Sequence, residues 1–166
     1  MKQKRIAGMT LMELLCALAV VLLVSAGMVL GVSLAGRSYE RSVTNSEAQV
    51  LCSTLQTIVN DELRYAGTLE YENGRVVGFF SQEHANADSK YSRFTTDSDG
   101  RVLLGGQKLL PNNAYPHGLR AAVELTDYDK ATRIFTAVVT VTDRSGDTLA
   151  QTEFQVKQLN EPAEQT

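Results

Sequence analysis

The sequence predicts an α+β protein in which one long N-terminal helix is followed by an antiparallel sheet. Three observations carry that expectation. Met9 to Ala35 is apolar and holds a single charge, Glu13. Arg37 to Ala66 repeats apolar residues at three- and four-residue steps and contains no proline. Past Leu119, three segments alternate apolar and polar positions, the period of a half-buried strand. With 166 residues, 43% of them hydrophobic, the chain has room for one anchor and one modest domain.

The apolar run is the first element. Its 27 residues would make a helix about 40 Å long, more than the roughly 30 Å hydrocarbon core of a bilayer. Lys2, Lys4 and Arg5 precede it, and the next basic residues are Arg37 and Arg41. That asymmetry predicts a single-pass protein of the cytoplasmic membrane, its N-terminus in the cytoplasm and its bulk outside. A cleaved secretory signal is one alternative, with Val24-Ser25-Ala26 as the peptidase site. It would leave the exposed apolar start GMVLGVSLAG and no reason for Glu13. A lipoprotein signal fits less well, because Leu14 and Leu15 stand before Cys16 where a small residue is needed. An uncleaved anchor carrying an extracytoplasmic binding or sensor domain is the other alternative. It too leaves unexplained a charge that costs on the order of 2.5 kcal/mol or more inside a membrane helix.

Lys4-Arg-Ile-Ala-Gly8, then Met9-Thr-Leu-Met-Glu-Leu-Leu15, then an uninterrupted apolar helix resembles the prepilin start of type IV pilins and of the pseudopilins of type II secretion and DNA-uptake (competence) machines. The resemblance implies a leader of residues 1–8, cut between Gly8 and Met9 by a prepilin peptidase that also methylates the new Met9 amino group. It further implies a pilin-like fold and assembly into a filament with other pilin or pseudopilin subunits on an inner-membrane platform. In that family the glutamate of one subunit faces the amino terminus of its neighbour, and Glu13 is the matching residue. The residue chemistry agrees: Gly8 lets the backbone open to a protease, and cleavage discards the three leading cations. Met9 departs from the phenylalanine more common in the family, at a position that asks for an apolar side chain. Val59-Asn-Asp-Glu-Leu-Arg-Tyr-Ala66 loosely resembles the low-abundance, tip-forming pseudopilins, so a minor subunit is expected.

Residues 9–36 are thus the membrane half of the helix, with Gly27-x-x-x-Gly31 as a close-packing motif. Residues 37–66 are the amphipathic half, with Val43, Val50, Leu51, Leu55, Ile58, Val59, Leu63 and Ala66 as its apolar stripe and Gly67 as its stop. Residues 67–159 form the sheet-bearing head. Asn73-Gly74 between Thr68–Glu72 and Arg75–Phe80 predicts a tight hairpin. Residues 81–100 read as a polar surface loop with a short strand at Tyr91–Thr95. The alternating segments 119–125, 135–141 and 150–156 read as a meander turning at Asp127–Lys130 and Asp143–Gly146. Residues 160–166 are a polar tail.

The chemistry expected of the head is sparse. Removing Lys2, Lys4 and Arg5 from the 16 basic residues and Glu13 from the 19 acidic ones leaves 13 against 18, which gives no general attraction to nucleic acid. Cys16 and Cys52 lie 36 residues apart, about 54 Å along a helix, far outside disulfide reach. His84 and His117 stand in loop-like sequence away from either cysteine, so no metal site is expected. Asp97-Ser-Asp99-Gly100 starts like a calcium loop, but Lys108 holds the closing acidic position. Asp127 and Asp129 could chelate calcium, as some pseudopilins do, but fit an ordinary turn better. No phosphate loop, Gly-x-Ser-x-Gly or catalytic trio is present, so neither catalysis nor a cofactor is expected.

Overall fold

The computed structural model describes residues 10–84 and 90–160 and is α+β. It divides into two compact units, Met1–Ser42 and Val43–Thr166. A helix, α1, runs from Leu11 to Arg64 and belongs to both. In the first unit it is the only element among the described residues, and all of them are exposed.

Among the described residues, the second unit holds the rest of α1 and eight strands. Strands β1 (Leu69–Glu72) and β2 (Arg75–Phe79) form a hairpin. A second sheet contains β3 (Phe94–Thr96), β4 (Val102–Leu104) and β5 (Gln107–Lys108). The third and longest is an antiparallel meander of β6 (Arg120–Asp129), β7 (Ile134–Thr142) and β8 (Thr148–Lys157). Its alternation is the one read from the sequence. Phe135, Ala137, Val139 and Val141 on β7 are completely buried and pair with Val156, Phe154, Thr152 and Ala150 of β8.

The helix covers that face. Ala48, Leu51, Cys52, Leu55, Val59 and Leu63 are buried in one cluster with the inward residues of β6 and β7. The stripe differs from the expected one at both margins. Val50 is 65% exposed and Val43 and Ile58 are half-buried, whereas Ala48 and Cys52 take inward positions. At about 100° per residue, Val50 lies on the far side of the helix from Ala48 and Cys52. The Cys52 thiol donates to the Val139 carbonyl at 3.8 Å, and burial raises its pKa, so it behaves as a small apolar group.

The turns follow their residue chemistry. Asn73 and Gly74 take φ values of 52° and 81°, the paired left-handed conformations of the tight hairpin turn. Asp143 accepts N–H bonds from Ser145 and Asp147, and Gly146 sits at φ 95°, so that turn falls where expected. The other meander turn does not. Strand β6 continues to Asp129 through a bulge after Leu125, and the turn begins there, with Asp129 accepting from the Ala131 N–H and the Thr132 hydroxyl. The segment 81–100 is also less superficial than its polarity suggests. Ser92 pairs with Phe79 as a backbone bridge, and Ser81 and Ser92 are both buried.

Helix α1 ends at Arg64, and its last carbonyls are closed from the far end of the chain. The Leu159 N–H donates to the Arg64 carbonyl at 2.8 Å and Asn160 Nδ2 to that of Tyr65 at 2.7 Å. Gln158, only 1% exposed, donates Nε2 to Ala66 and Gly67 at 2.9 and 3.0 Å and accepts the Tyr128 hydroxyl at 2.8 Å. A helix terminus leaves carbonyls without internal partners; here those of Asp61 and Leu63 accept from Tyr65 and Ala66, and the distant strand end satisfies that of Arg64 and those of the three residues after it. Gly67, expected as the stop, matters for another reason: a Cβ there would stand 3.0 Å from the Phe80 ring.

Two substitution tests follow from this packing. Leu55→Ala should lower unfolding stability by about 2–5 kcal/mol, while Val50→Ala stays within about 0.5 kcal/mol of the parent, measured by thermal unfolding under circular dichroism. Equal effects would mean that a different helix face is buried. Gln158→Leu, close in size but unable to hydrogen-bond, should cost about 2–3 kcal/mol in the same measurement, because it strands two carbonyls and a tyrosine hydroxyl.

Candidate functional site

Of the three residues singled out at the N-terminus, Gly8 and Met9 lie outside the described residues. Glu13 lies within them, in the first turn of α1. Its backbone N–H donates to Thr10 Oγ1 at 3.3 Å, while the Thr10 N–H and hydroxyl reach Glu13 Oε2 at 3.4 and 3.5 Å. This reciprocal arrangement is a capping box, which satisfies two N–H groups that a helix start leaves open. The sequence signal for it, Thr10-x-x-Glu13 ahead of an apolar run, was available and is a second use for this carboxylate. The bonds to the carboxylate are longer than the usual range and engage only one of its oxygens.

The helix segment that carries Glu13 is apolar and unburied along its length. Leu11 is 82% exposed and Leu23 and Val32 are each 74% exposed. The helix is long and apolar enough to cross a membrane, and the chain buries none of its apolar window, which is compatible with single-pass anchoring. An apolar surface of this extent is not left to water in a stable protein; it needs lipid or other helices. A Cβ built on Gly27, Gly31 or Gly36 would meet nothing within 4 Å, so no group of this chain requires glycine there. The free Cys16 is exposed on the same segment.

In the head, two histidines meet carboxylates of the helix. His84 Nδ1 lies 2.9 Å from Glu62 Oε1, and His117 Nε2 lies 3.2 Å from Glu47 Oε2. Sequence spacing could not reveal either contact, since each crosses from helix to loop. His117 holds a left-handed backbone, φ 53°, next to Gly118 at φ 73°. The positive φ of Gly118 favours glycine there; a Cβ would meet the Arg144 guanidinium, the end of an exposed flexible side chain that can move aside.

Of the aspartates considered for calcium, Asp97 and Asp129 are occupied by turns, and Asp127 lies in β6 opposite Thr136. Asp97 Oδ1 accepts from the N–H groups of Asp99 and Arg101 at 2.9 and 2.8 Å. Those bonds, the one from Arg101 foremost, hold its carboxyl below the usual carboxylate range. Asp129 is lowered likewise, first by the Thr132 hydroxyl and then by the Ala131 N–H. No pairing of Asp127 with Asp129 across a shared ion is needed to explain either loop. Lys108 donates to Asn112 at 2.9 Å, away from any ligand role.

No protein-family model matches the chain, and neither a curated protein nor a solved structure does. The site therefore has to be read from its own residues.

An alkaline carbonate wash should leave the full-length protein in the membrane pellet, and removal of residues 9–36 should release the head to the supernatant. Release of the full-length chain by the wash would contradict a membrane role for the segment.

Proposed function

We propose that the protein is a minor pilin or pseudopilin precursor. In this reading a prepilin peptidase cuts after Gly8 and methylates Met9, and the mature chain enters a thin type IV pilus-like or type II secretion-like filament with its head outside the membrane. The observation that carries the proposal is Glu13, the single charge between Met9 and Ala35, placed five residues after the glycine of a prepilin-type start. The exposure of the whole apolar segment and the open face at Gly27 and Gly31, which lie one turn apart on one side of the helix, support it, because both call for neighbouring helices or lipid.

The physical role proposed for Glu13 is pairing between subunits. A carboxylate in a lone membrane helix is expensive, and its capping contacts leave one oxygen without a strong donor. An ammonium group at the Met9 nitrogen of an adjacent copy, or of a sister subunit, would neutralise it inside the filament. Removal of the leader's three cations leaves that single amine as the nearest positive group. Breaking such a pair is more harmful than never having it, since it strands a buried charge. The capping role is compatible with this, because a carboxylate has two oxygens and the box uses one.

Mass spectrometry of the mature protein tests the processing step: a chain starting at methylated Met9 is expected, and an intact Met1 would point instead to an uncleaved anchor bearing a binding or sensor domain. Glu13→Ala should remain cleaved and membrane-inserted yet enter filaments poorly, read by immunoblot of the sheared filament fraction. Incorporation equal to the parent would remove the pairing role.

A further inference from the structure

The geometry points to a binding site for a divalent transition-metal ion of the zinc class, formed by Glu62 of α1 with Glu83 and His84 of the segment after β2. One ligand atom from each of the three residues lies within 4.8 Å of the other two. The contact between His84 and Glu62 carries most of the argument. His84 Nδ1 and Glu62 Oε1 are 2.9 Å apart, yet Nδ1, which is buried, makes no hydrogen bond. A buried imidazole nitrogen that makes no hydrogen bond and stands beside a carboxylate oxygen can serve with it as a ligand of one ion. Two such atoms bound to one ion at about 2.1 Å would lie about 3.0–3.4 Å apart, close to the separation here.

The ligands are held in place before any ion arrives. Ser81, 3% exposed, donates its hydroxyl to Glu62 Oε2 at 2.9 Å and accepts the His84 N–H at 3.0 Å. The Ser92 hydroxyl donates to the His84 carbonyl. Glu62 is therefore oriented through the oxygen that faces away from His84, and the His84 backbone is fixed on both sides. Such supporting bonds are what tune a metal ligand and lower the cost of organising it.

Donor type selects the ion. Calcium and magnesium prefer all-oxygen sites, whereas one imidazole nitrogen with two carboxylates suits zinc and its neighbours. Three protein ligands leave a position for water or for a group from another molecule. Access is available, because the Glu62 and Glu83 side chains border an open hollow shared with Asp61, Tyr65 and Gln82. The side chains of His84 and Glu62 are only 18% and 12% exposed, so they are partly desolvated. His117 and Glu47 offer no equivalent, being two ligands only, with the imidazole 58% exposed. A bound ion would tie the start of the 81–100 segment to the last turns of α1.

The test uses the full-length protein in detergent micelles, stripped by chelator and titrated with cobalt(II), then with zinc(II) under equilibrium dialysis. One ion per chain is expected, with visible cobalt bands that zinc bleaches by displacement. His84→Gln and Glu62→Gln should each weaken binding at least about tenfold, a loss seen even for groups that merely support a ligand, while their circular dichroism matches the parent. His117→Gln should bind as the parent does. If His84→Gln or Glu62→Gln does not fold, Glu83→Gln, at an exposed position, decides the comparison. Cobalt and zinc both failing to bind above buffer background, or parent-level affinity in the folded variants, would overturn the site.

Discussion

One helix carries two different side-chain patterns, and the rest of the structure depends on that constraint. From Leu14 to Ala35 its side chains carry no charge on any face and the chain buries none of them; from Ala48 to Leu63 only one face is apolar, and that face is inside. Lipid rewards the first pattern and a packed sheet the second. The head cannot bury its long meander without the helix, because β7 presents a continuous row of Phe135, Ala137, Val139 and Val141 that needs a cover. The helix stripe supplies it, with Cys52 small enough to let the helix approach the Val139 backbone.

The second dependence is the closure of the helix end by residues 158–160. Those bonds join groups more than 90 residues apart, so the C-terminal strand fixes the geometry of the helix terminus and the loop entering β1. Gln158 does this from a buried position with its amide turned to two carbonyls and its oxygen to Tyr128, leaving neither partner unsatisfied. Tyr128 packs in turn on Phe135, with ring centroids 4.5 Å apart, which links the polar clamp to the core. Contacts of such long sequence separation carry an entropic cost of loop closure, which the buried meander has to offset.

Glu13 shows how one charged residue can answer two demands. Near the helix start its carboxylate complements exposed N–H groups, and the Thr10 hydroxyl returns the bond. That use is local and independent of any other molecule. The proposed pairing with a neighbouring amine is a separate demand made by low dielectric, where a charge without a counter-charge is costly. The first fixes where the carboxylate sits; the second would explain why a charged residue is kept in an apolar segment.

Much of the architecture was legible because it is written in short periods. The apolar run, the three-and-four spacing of Leu51, Leu55, Val59 and Leu63, the Asn73-Gly74 turn and the alternating strands after Leu119 each depend on neighbours within a few residues. Errors came where two local signals competed. Val50 and Cys52 are one step either side of Leu51, and only the sheet's position decides which is inside. Asp127 and Asp129 are both turn formers, and the β6–β7 pairing chose the second. The strands β4 and β5 are too short to show a period at all. By itself, then, the sequence determined the α+β class, the apolar segment with Glu13 near its start, and most turns, since backbone propensity and side-chain period act over a few residues. Only the tertiary structure decided that Gln158 closes the helix and that His84 meets Glu62, because those partners are brought together by the packing of helix, hairpin and sheet and no spacing along the chain encodes them.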